Sequence, residues 1–297
     1  MALFSILDVL PFEGIAIDLV DVGARPTGDE RYLGLLERGA LRLVGFEPDP
    51  EQLAILREKF PEHRFSGECV GDGRRRTFHQ CRFGGCSSLY RPDADVINHF
   101  TGISAHEGAH FEVIATREVQ TRRLDDLDEV TACDYLKLDV QGAELDVLKG
   151  ATDLLGNCLM AEVEVEFVPI YEGQPLFAEV DAFMRAHGFF LHRLVDLAGR
   201  AFRPFVVDDN YHKPVSQLLW ADAVFVRRFT DFAEMAPEAL IKLAVMAHEF
   251  LGSVDLVARA LAYVDAKSGT AFQTLYLKEL STRGFEISFV NVKDWTD

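Results

Sequence analysis

The stretch that most restricts what this chain can fold into is Asp134-Tyr135-Leu136-Lys137-Leu138-Asp139-Val140-Gln141-Gly142-Ala143-Glu144. Tyr135 to Leu138 is an apolar-rich run of strand length that stops on a carboxylate. Gly142 follows, Leu145 and Leu148 recur at helical spacing, and Gly150 closes the run. Strand, acidic tip, glycine and helix, in that order, make one turn of a βα unit. In an open parallel sheet the ligand crevice lies outside the carboxyl ends of the strands. Asp139 therefore has two readings, a ligand contact at that edge or a cap for the next helix.

The pattern recurs upstream. Residues 14–22 form a first strand ending in Asp21-Val22-Gly23-Ala24, and residues 28–38 read as a helix with Tyr32, Leu35 and Leu36 on one side. Glycine there lets a ligand approach the backbone, and the amides that open the next helix can receive a carboxylate or phosphate. Only Gly23 and Gly28 flank Arg25-Pro26-Thr27, so the dinucleotide pattern G-x-G-x-x-G is absent. A second strand, 41–46, finishes on Glu47 and is followed by Pro48-Asp49-Pro50. An acid at the second tip, about twenty residues past the glycine turn, is the position that binds ribose hydroxyls. A carboxylate offers the two acceptors such a pair needs. The alternative is a helix-start signal for residues 51–60, which Asp49 can supply without Glu47. The third strand, 63–70, leads into Gly71-Asp72-Gly73, where Asp72 either meets an adenine amino group or makes a plain Asp-Gly turn.

From residue 76 to 124 the chain alternates and is rich in glycine, with strand-like runs at 76–83 and 111–121. This reads as a β-rich insertion whose Ser87-Ser88 loop overlies the cleft. Residues 157–167 then form a fifth strand carrying Glu162, Glu164 and Glu166 on one face, either as a solvated edge or as a cleft wall. A loop at 169–175, a helix at 176–187 ended by Gly188, and strands at 189–195 and 217–227 complete a seven-stranded sheet. The polar loop Asp208-Asp209-Asn210-Tyr211-His212-Lys213 lies between the last two strands, within reach of a substrate. Helical periodicity over 237–251, 253–264 and 270–280, with start signals at Pro237 and Ser253, marks residues 230–297 as an extension to a domain of residues 1–229. That extension either packs on the main domain or pairs two copies into a homodimer.

Lys and Arg number 30 against 48 Asp and Glu, a net charge of −18, which disfavours a nucleic-acid partner. Arg74-Arg75-Arg76 reads as a solvated turn. The 5 cysteines are scattered with no Cys-x-x-Cys pair, which fits free thiols in a reducing compartment. The opening Met1-Ala2-Leu3-Phe4-Ser5 lacks a leader pattern, and no apolar run reaches membrane-spanning length, so the expected location is cytoplasmic. Two motif matches mislead. His106-Glu107-Gly108-Ala109-His110 satisfies H-E-x-x-H, but that zinc chemistry needs a helix, and Gly102 and Gly108 interrupt the run. Tyr263 and Lys267 imitate a reductase dyad but lie beyond the sheet.

With these residues laid out, the chain resembles the FkbM family of S-adenosylmethionine-dependent O-methyltransferases over about Ile17 to Arg228. The best match is the run from Tyr135 through Asp139 and Glu144 to Gly150-Ala151. It is supported by Asp21-Val-Gly-Ala24, Phe46-Glu47-Pro48, Arg123-Leu-Asp125 and Ile170-Tyr-Glu-Gly-Gln-Pro-Leu-Phe177. The chain departs from the family pattern at Gln141, where the family usually has glutamate, and at Arg25-Pro26-Thr27, where it commonly has asparagine and a glycine-containing turn.

The resemblance implies an α/β class I, Rossmann-like methyltransferase with a seven-stranded, mostly parallel sheet, a β-rich insertion and a C-terminal helical appendage. It also implies an S-adenosylmethionine site in which Asp21, Gly23 and Ala24 line the methionine end. Glu47 and Pro48 would meet the ribose, Asp72 the adenine, and Asp139 the region near the sulfonium, with Ser88 on the covering loop. The expected reaction is methyl transfer to a hydroxyl of a sugar, a glycan or another small-molecule intermediate, with Asp139, Glu164 and His212 as candidate bases. A divalent cation bridging Asp139 and a fifth-strand glutamate suits the preference of hard cations for oxygen, but nothing in the sequence requires it. The rivals are a nicotinamide-dependent reductase, a zinc peptidase using His106 and His110, and a non-catalytic module that keeps the fold.

Overall fold

In the computed structural model, which describes residues 4–12, 14–26, 28, 30–286 and 288, the strands are β1 (Ile17–Val22), β2 (Leu41–Phe46), β3 (Arg64–Ser66), β4 (Arg75–Cys81), β5 (Val113–Gln120), β6 (Tyr135–Leu138), β7 (Met160–Glu166), β8 (Phe189–Gly199) and β9 (Leu218–Arg227). Seven of these make one sheet in the order β3-β2-β1-β6-β7-β9-β8, while β4 and β5 pair separately as an antiparallel ribbon. Pairing is parallel between β2 and β3, β1 and β6, and β6 and β7; β9 runs antiparallel to both β7 and β8. This is the class I, Rossmann-like methyltransferase sheet anticipated from the sequence, and β4 with β5 is its β-rich insertion.

Burial explains the order. The central strands β1, β6 and β7 are covered on both faces, so they read as nearly continuous apolar runs. The edge strand β3 is three residues long, and the other edge, β8, is half exposed along much of its length, which leaves little open ladder at either side. The helices are α1 (Leu33–Glu37), α2 (Pro50–Lys59), α3 (Ala94–Ile97), α4 (Glu144–Lys149), α5 (Thr152–Asn157), α6 (Phe177–Ala186), α7 (Pro237–Glu249), α8 (Val254–Ser268) and α9 (Phe272–Thr282). Asp49 caps α2 by accepting from the N–H groups of Glu51 and Gln52, with Pro50 in the first turn. The α8 helix stops at Gly269 in the left-handed conformation, φ 67°.

Several expected elements come out shorter or shifted. The first strand begins at Ile17 and not Gly14, the third is reduced to Arg64–Ser66 with Val70 in an isolated bridge to Arg122, and the helix of 28–38 survives only as α1. Thr27 lies outside the described residues. Asn157 closes α5 and does not open the fifth strand. That strand, β7, lies between β6 and β9, so the reading of Glu162, Glu164 and Glu166 as a solvated edge fails: Glu162 and Glu166 are each 4% exposed.

By contact the chain forms two compact units, one of Ile17–Gly28 and Arg42–Arg228, the other of Met1–Ala16, Asp29–Leu41 and Phe229–Asp297. In the first, one core lies against the sheet around Val20, Leu136, Val147, Val163 and Phe225, and a second gathers Cys81, Ile97, Phe100, Phe111 and Tyr171. In the second unit His248 is buried and its ring nitrogens meet Tyr276 Oη at 2.8 Å and Phe4 O at 2.7 Å. The Tyr263 ring packs edge-on against Phe232 and Lys267 donates to Ala233 O, structural contacts for the pair that imitated a reductase dyad. No helix among the described residues is long and apolar enough to cross a membrane.

Candidate active site

Four strand ends are laced into one rim. The N–H of Asp139 donates to Val22 O at 2.9 Å, those of Gly23 and Ala24 to Phe46 O at 2.9 and 3.1 Å, and that of Glu47 to Ser66 O at 3.0 Å. These bonds carry the pairing of β6, β1, β2 and β3 just past the strands, so Asp21, Gly23, Ala24, Glu47, Pro48 and Asp139 all reach the same sheet edge. Gly23 has φ +87°, and a Cβ there would lie 1.9 Å from the Asp139 carbonyl oxygen. A side chain is excluded both by conformation and by space.

The rim is acidic, and one lysine answers it. Lys137, paired with Asp21 across β1 and β6, holds its Nζ 3.8 Å from Asp21 Oδ1 and 3.9 Å from Asp139 Oδ2. Burial opposes the ammonium charge, but Asp21, Asp139, Glu162 and Asp222 together outweigh it, and the Lys137 pKa is raised. Sequence reasoning passed over Lys137. A lysine in a strand buried on both faces was the available sign that acids lie opposite.

Glu47 is 5% exposed; its Oε1 accepts from the Asp49 N–H at 2.7 Å, and its Oε2 meets no donor among the described residues. Burial raises its pKa, against the opposing Asp49 N–H and the charge of Arg25. Arg25 itself reaches the insertion: a Cβ on Gly84 would come within 3.1 Å of its Nη1. Asp72 is already committed, its Oδ1 accepting from the Arg74 N–H at 3.1 Å and its Oδ2 from Arg76 at 2.8 Å. Arg76 also bonds Asp146 at 3.0 Å, and Tyr90 Oη donates to the same Asp146 oxygen at 2.8 Å. Arg76 is thus a buttress; Arg74 and Arg75 are solvated as expected, their side chains 79% and 74% exposed, but Arg75 already opens β4 and is not part of a turn.

Gln141 is the hub between rim and insertion. Its Nε2 donates to Asp139 Oδ1 at 2.9 Å and to Glu164 Oε2 at 2.6 Å; its Oε1 accepts from Tyr171 Oη at 3.0 Å; its carbonyl accepts from Ser88 Oγ at 2.6 Å. It does so at φ 59°, a conformation that non-glycine residues rarely adopt. The link between Asp139 and the fifth strand, considered from sequence as a place for a cation, is made by this amide. No group of three or more His, Cys, Asp or Glu suited to a metal occurs among the described residues. His106 and His110 sit in turns, with Gly108 at φ 82°, and no helix aligns them.

Beyond Gln141 opens a cavity of about 370 Å³ whose wall includes Gln141, Glu164, Glu166, Phe111, Tyr171, Arg200, His212 and Trp220. Two of the three candidate bases, Glu164 and His212, therefore face one hollow, and the third, Asp139, joins it through the Gln141 amide. Burial, then the charge of Asp139, raises the pKa of Glu164, and the same two causes push Glu166 up to about 8. Glu144 is raised as well, by burial and then by Glu166.

A carboxyl whose folded pKa exceeds its unfolded value binds more protons when folded, so its stabilising contribution is complete below about 4.5 and is lost as pH rises through about 8. Thermal melts of the ligand-free protein are therefore expected to fall between pH 6 and pH 9. Glu166→Gln should flatten part of that slope. An unchanged slope in the variant would refute the assignment to Glu166.

The FkbM methyltransferase domain model matches residues 21–191. The chain belongs to the FkbM methyltransferase family. Among curated relatives, the 2-O-methyltransferase NoeI of Sinorhizobium fredii is 30% identical over 172 residues, which span 55% of this chain and 69% of that protein. Solved structures are far more distant. A TehB-like SAM-dependent methyltransferase from Corynebacterium glutamicum is 14% identical with TM-score 0.34, covering 75% of this chain and 85% of that one. A putative methyltransferase from Thermoplasma acidophilum is 12% identical with TM-score 0.37, covering 72% and 69%. At those scores neither adds to the argument from strand order. Membership of the FkbM family makes this protein a methyltransferase. The residues that sequence reasoning did not assign to the site, Lys137, Tyr171, Arg200 and Trp220, lie on β6, in the loop after β7, directly after β8, and on β9.

Proposed function

We propose that this FkbM-family protein is an S-adenosylmethionine-dependent O-methyltransferase acting on a hydroxyl of a sugar or glycan. The observation that carries the reading is the junction at Gln141, which ties a rim of strand-tip acids to a cavity of ligand size. The residues present fit an adenosyl cofactor. Glu47 keeps a carboxylate oxygen for a ribose hydroxyl, and the Gly23 backbone lies open to close approach. Arg25 supplies positive charge beside Glu47 and the insertion, at the end where a methionine carboxylate would lie. Asp72, with both oxygens engaged, would reach an adenine only by sharing them.

When bound, the sulfonium supplies an activated methyl group; the chain supplies position and electrostatics. The cavity would hold the acceptor hydroxyl in line with that methyl at near-attack distance. The hydroxyl proton needs an acceptor within hydrogen-bond reach. Asp139, Glu164 and His212 are the proposed candidates, with Glu164 favoured because it is a carboxyl in the cavity wall itself, held there by the Gln141 amide. The Gln141 amide would hold Asp139 and Glu164 in register, a task a glutamate at the same position could not perform while charged.

Titration calorimetry with S-adenosylhomocysteine and with NADPH separates the readings. Binding of the first and not the second is expected. Glu47→Gln should weaken it by about tenfold or more, the scale of a hydrogen bond to a charged group. His106→Ala should leave it unchanged. Folded protein that ignores S-adenosylhomocysteine would overturn the proposal.

A further inference from the structure

Arg200 is the unexplained charge in the cavity wall. It follows directly on β8, its guanidinium lies 4.9 Å over the Trp220 ring, and its Nη1 donates to Gly199 O at 2.7 Å. No carboxylate among the described residues comes within ion-pair distance. Its Nε is buried without a partner, and its Nη2 meets no protein acceptor among those residues. Burial accordingly lowers its pKa, with no acid to offset the effect. A guanidinium taken partly out of water without a counter-charge is costly unless a ligand provides one.

The rest of the wall does not provide it. Glu164 and Glu166 share the hollow, but their carboxyls are pushed toward the protonated form, and Glu164 is hydrogen-bonded to Gln141. His110 and His212 add ring nitrogens and no negative charge. Neither carboxyl comes within ion-pair distance of Arg200, so its positive charge stands uncompensated in the cavity wall, on a chain whose net charge is −18. The Trp220 ring fixes the guanidinium plane, and a planar fork so held suits an oxyanion.

Resting on the methyltransferase reading above, we propose that the acceptor saccharide carries an oxyanion (a carboxylate, sulfate or phosphate) that Arg200 receives, while a hydroxyl of the same sugar faces Gln141 and Glu164. Arg200 is then the residue that selects a charged sugar over a neutral one. The attraction is electrostatic and the site partly buried, so the selection should weaken with added salt less than a surface contact would.

The test uses the chain of residues 1–297 and four probes: glucuronate, glucose 6-sulfate, glucose 6-phosphate and glucose. Binding is followed by saturation-transfer NMR and calorimetry without cofactor, and methyl transfer is then measured with S-adenosylmethionine. At least one charged probe is expected to bind about tenfold or more tighter than glucose, and which of the three does so identifies the oxyanion. In Arg200→Gln that preference should collapse to within about threefold, and Arg200→Lys should retain part of it. Affinity for S-adenosylhomocysteine should be unaltered in both. Equal binding of all four probes, no binding of any, or an undiminished preference in Arg200→Gln would overturn the inference. Failure to bind S-adenosylhomocysteine in the parallel titration would instead strike the methyltransferase reading, which keeps the two failures distinct.

Discussion

Gly23→Ala is expected to abolish cofactor binding and to destabilise the sheet. The new methyl would sit 1.9 Å from the Asp139 carbonyl oxygen, which is backbone and cannot rotate aside. Relief needs β1 and β6 to separate by more than an ångström at the edge where Asp139 N–H bonds Val22 O. The left-handed backbone adds about 1–2 kcal/mol and the overpacking about 1–3 kcal/mol, a total of ~2–5 kcal/mol. Gly28→Ala is the control: its φ of +91° carries the same conformational cost, but nothing lies within 4 Å of the added atom. Chemical denaturation of both variants, with S-adenosylhomocysteine titrations, should show binding lost in the first and kept in the second. Equal behaviour of the two would remove the close approach from the account of the site.

The second large effect is expected from Lys137→Met. The Asp21 side chain is 2% exposed and faces the Lys137 ammonium at 3.8 Å, whereas Asp139 is 42% exposed and better served by water. The loss therefore falls mainly on Asp21, which loses its ammonium neighbour inside a buried strand. Removing one partner of a buried pair costs about 3–5 kcal/mol; the long separation here favours the lower figure. The penalty should shrink in acid, where carboxylates carry less charge. Lys137→Met combined with Asp21→Asn should be more stable than Lys137→Met alone, because the carboxylate that faced the ammonium is gone with it. If the double variant is no more stable than the single, the lysine is not there to balance Asp21.

The sheet was legible in the sequence because β1, β2 and β6 read as largely apolar runs with Asp21, Glu47 and Asp139 at their carboxyl ends. The short edge β3 and the truncated α1 were not, since neither has a periodic stretch long enough to set its limits. Strand-tip residues on the rim could be named from spacing alone. The cavity could not, because its wall comes from separate stretches spread between residues 111 and 220: Phe111, Gln141, Tyr171, Arg200 and Trp220 have no shared pattern until the chain is folded. The alternation of Glu162, Glu164 and Glu166 was visible, but a period-two charge pattern looks the same on a solvated edge as on an interior strand. What distinguishes them is β9 on the far side, inserted antiparallel from late in the sequence.

The separate origins of the rim and the cavity wall have a consequence for how such a protein can diversify. Gly23, Glu47 and Asp139 are tied to one another by main-chain bonds that leave little latitude for replacement. Phe111 belongs to the β4–β5 insertion region and Arg200 to the connection before β9, both outside those bonds. Under the proposed reading, substitutions there would change which acceptor is admitted and leave the strand-tip rim as it is. The Ser88 hydroxyl on the Gln141 carbonyl is one of the bonds that tie the two parts together, so a grafted insertion that keeps a hydroxyl there keeps that anchor.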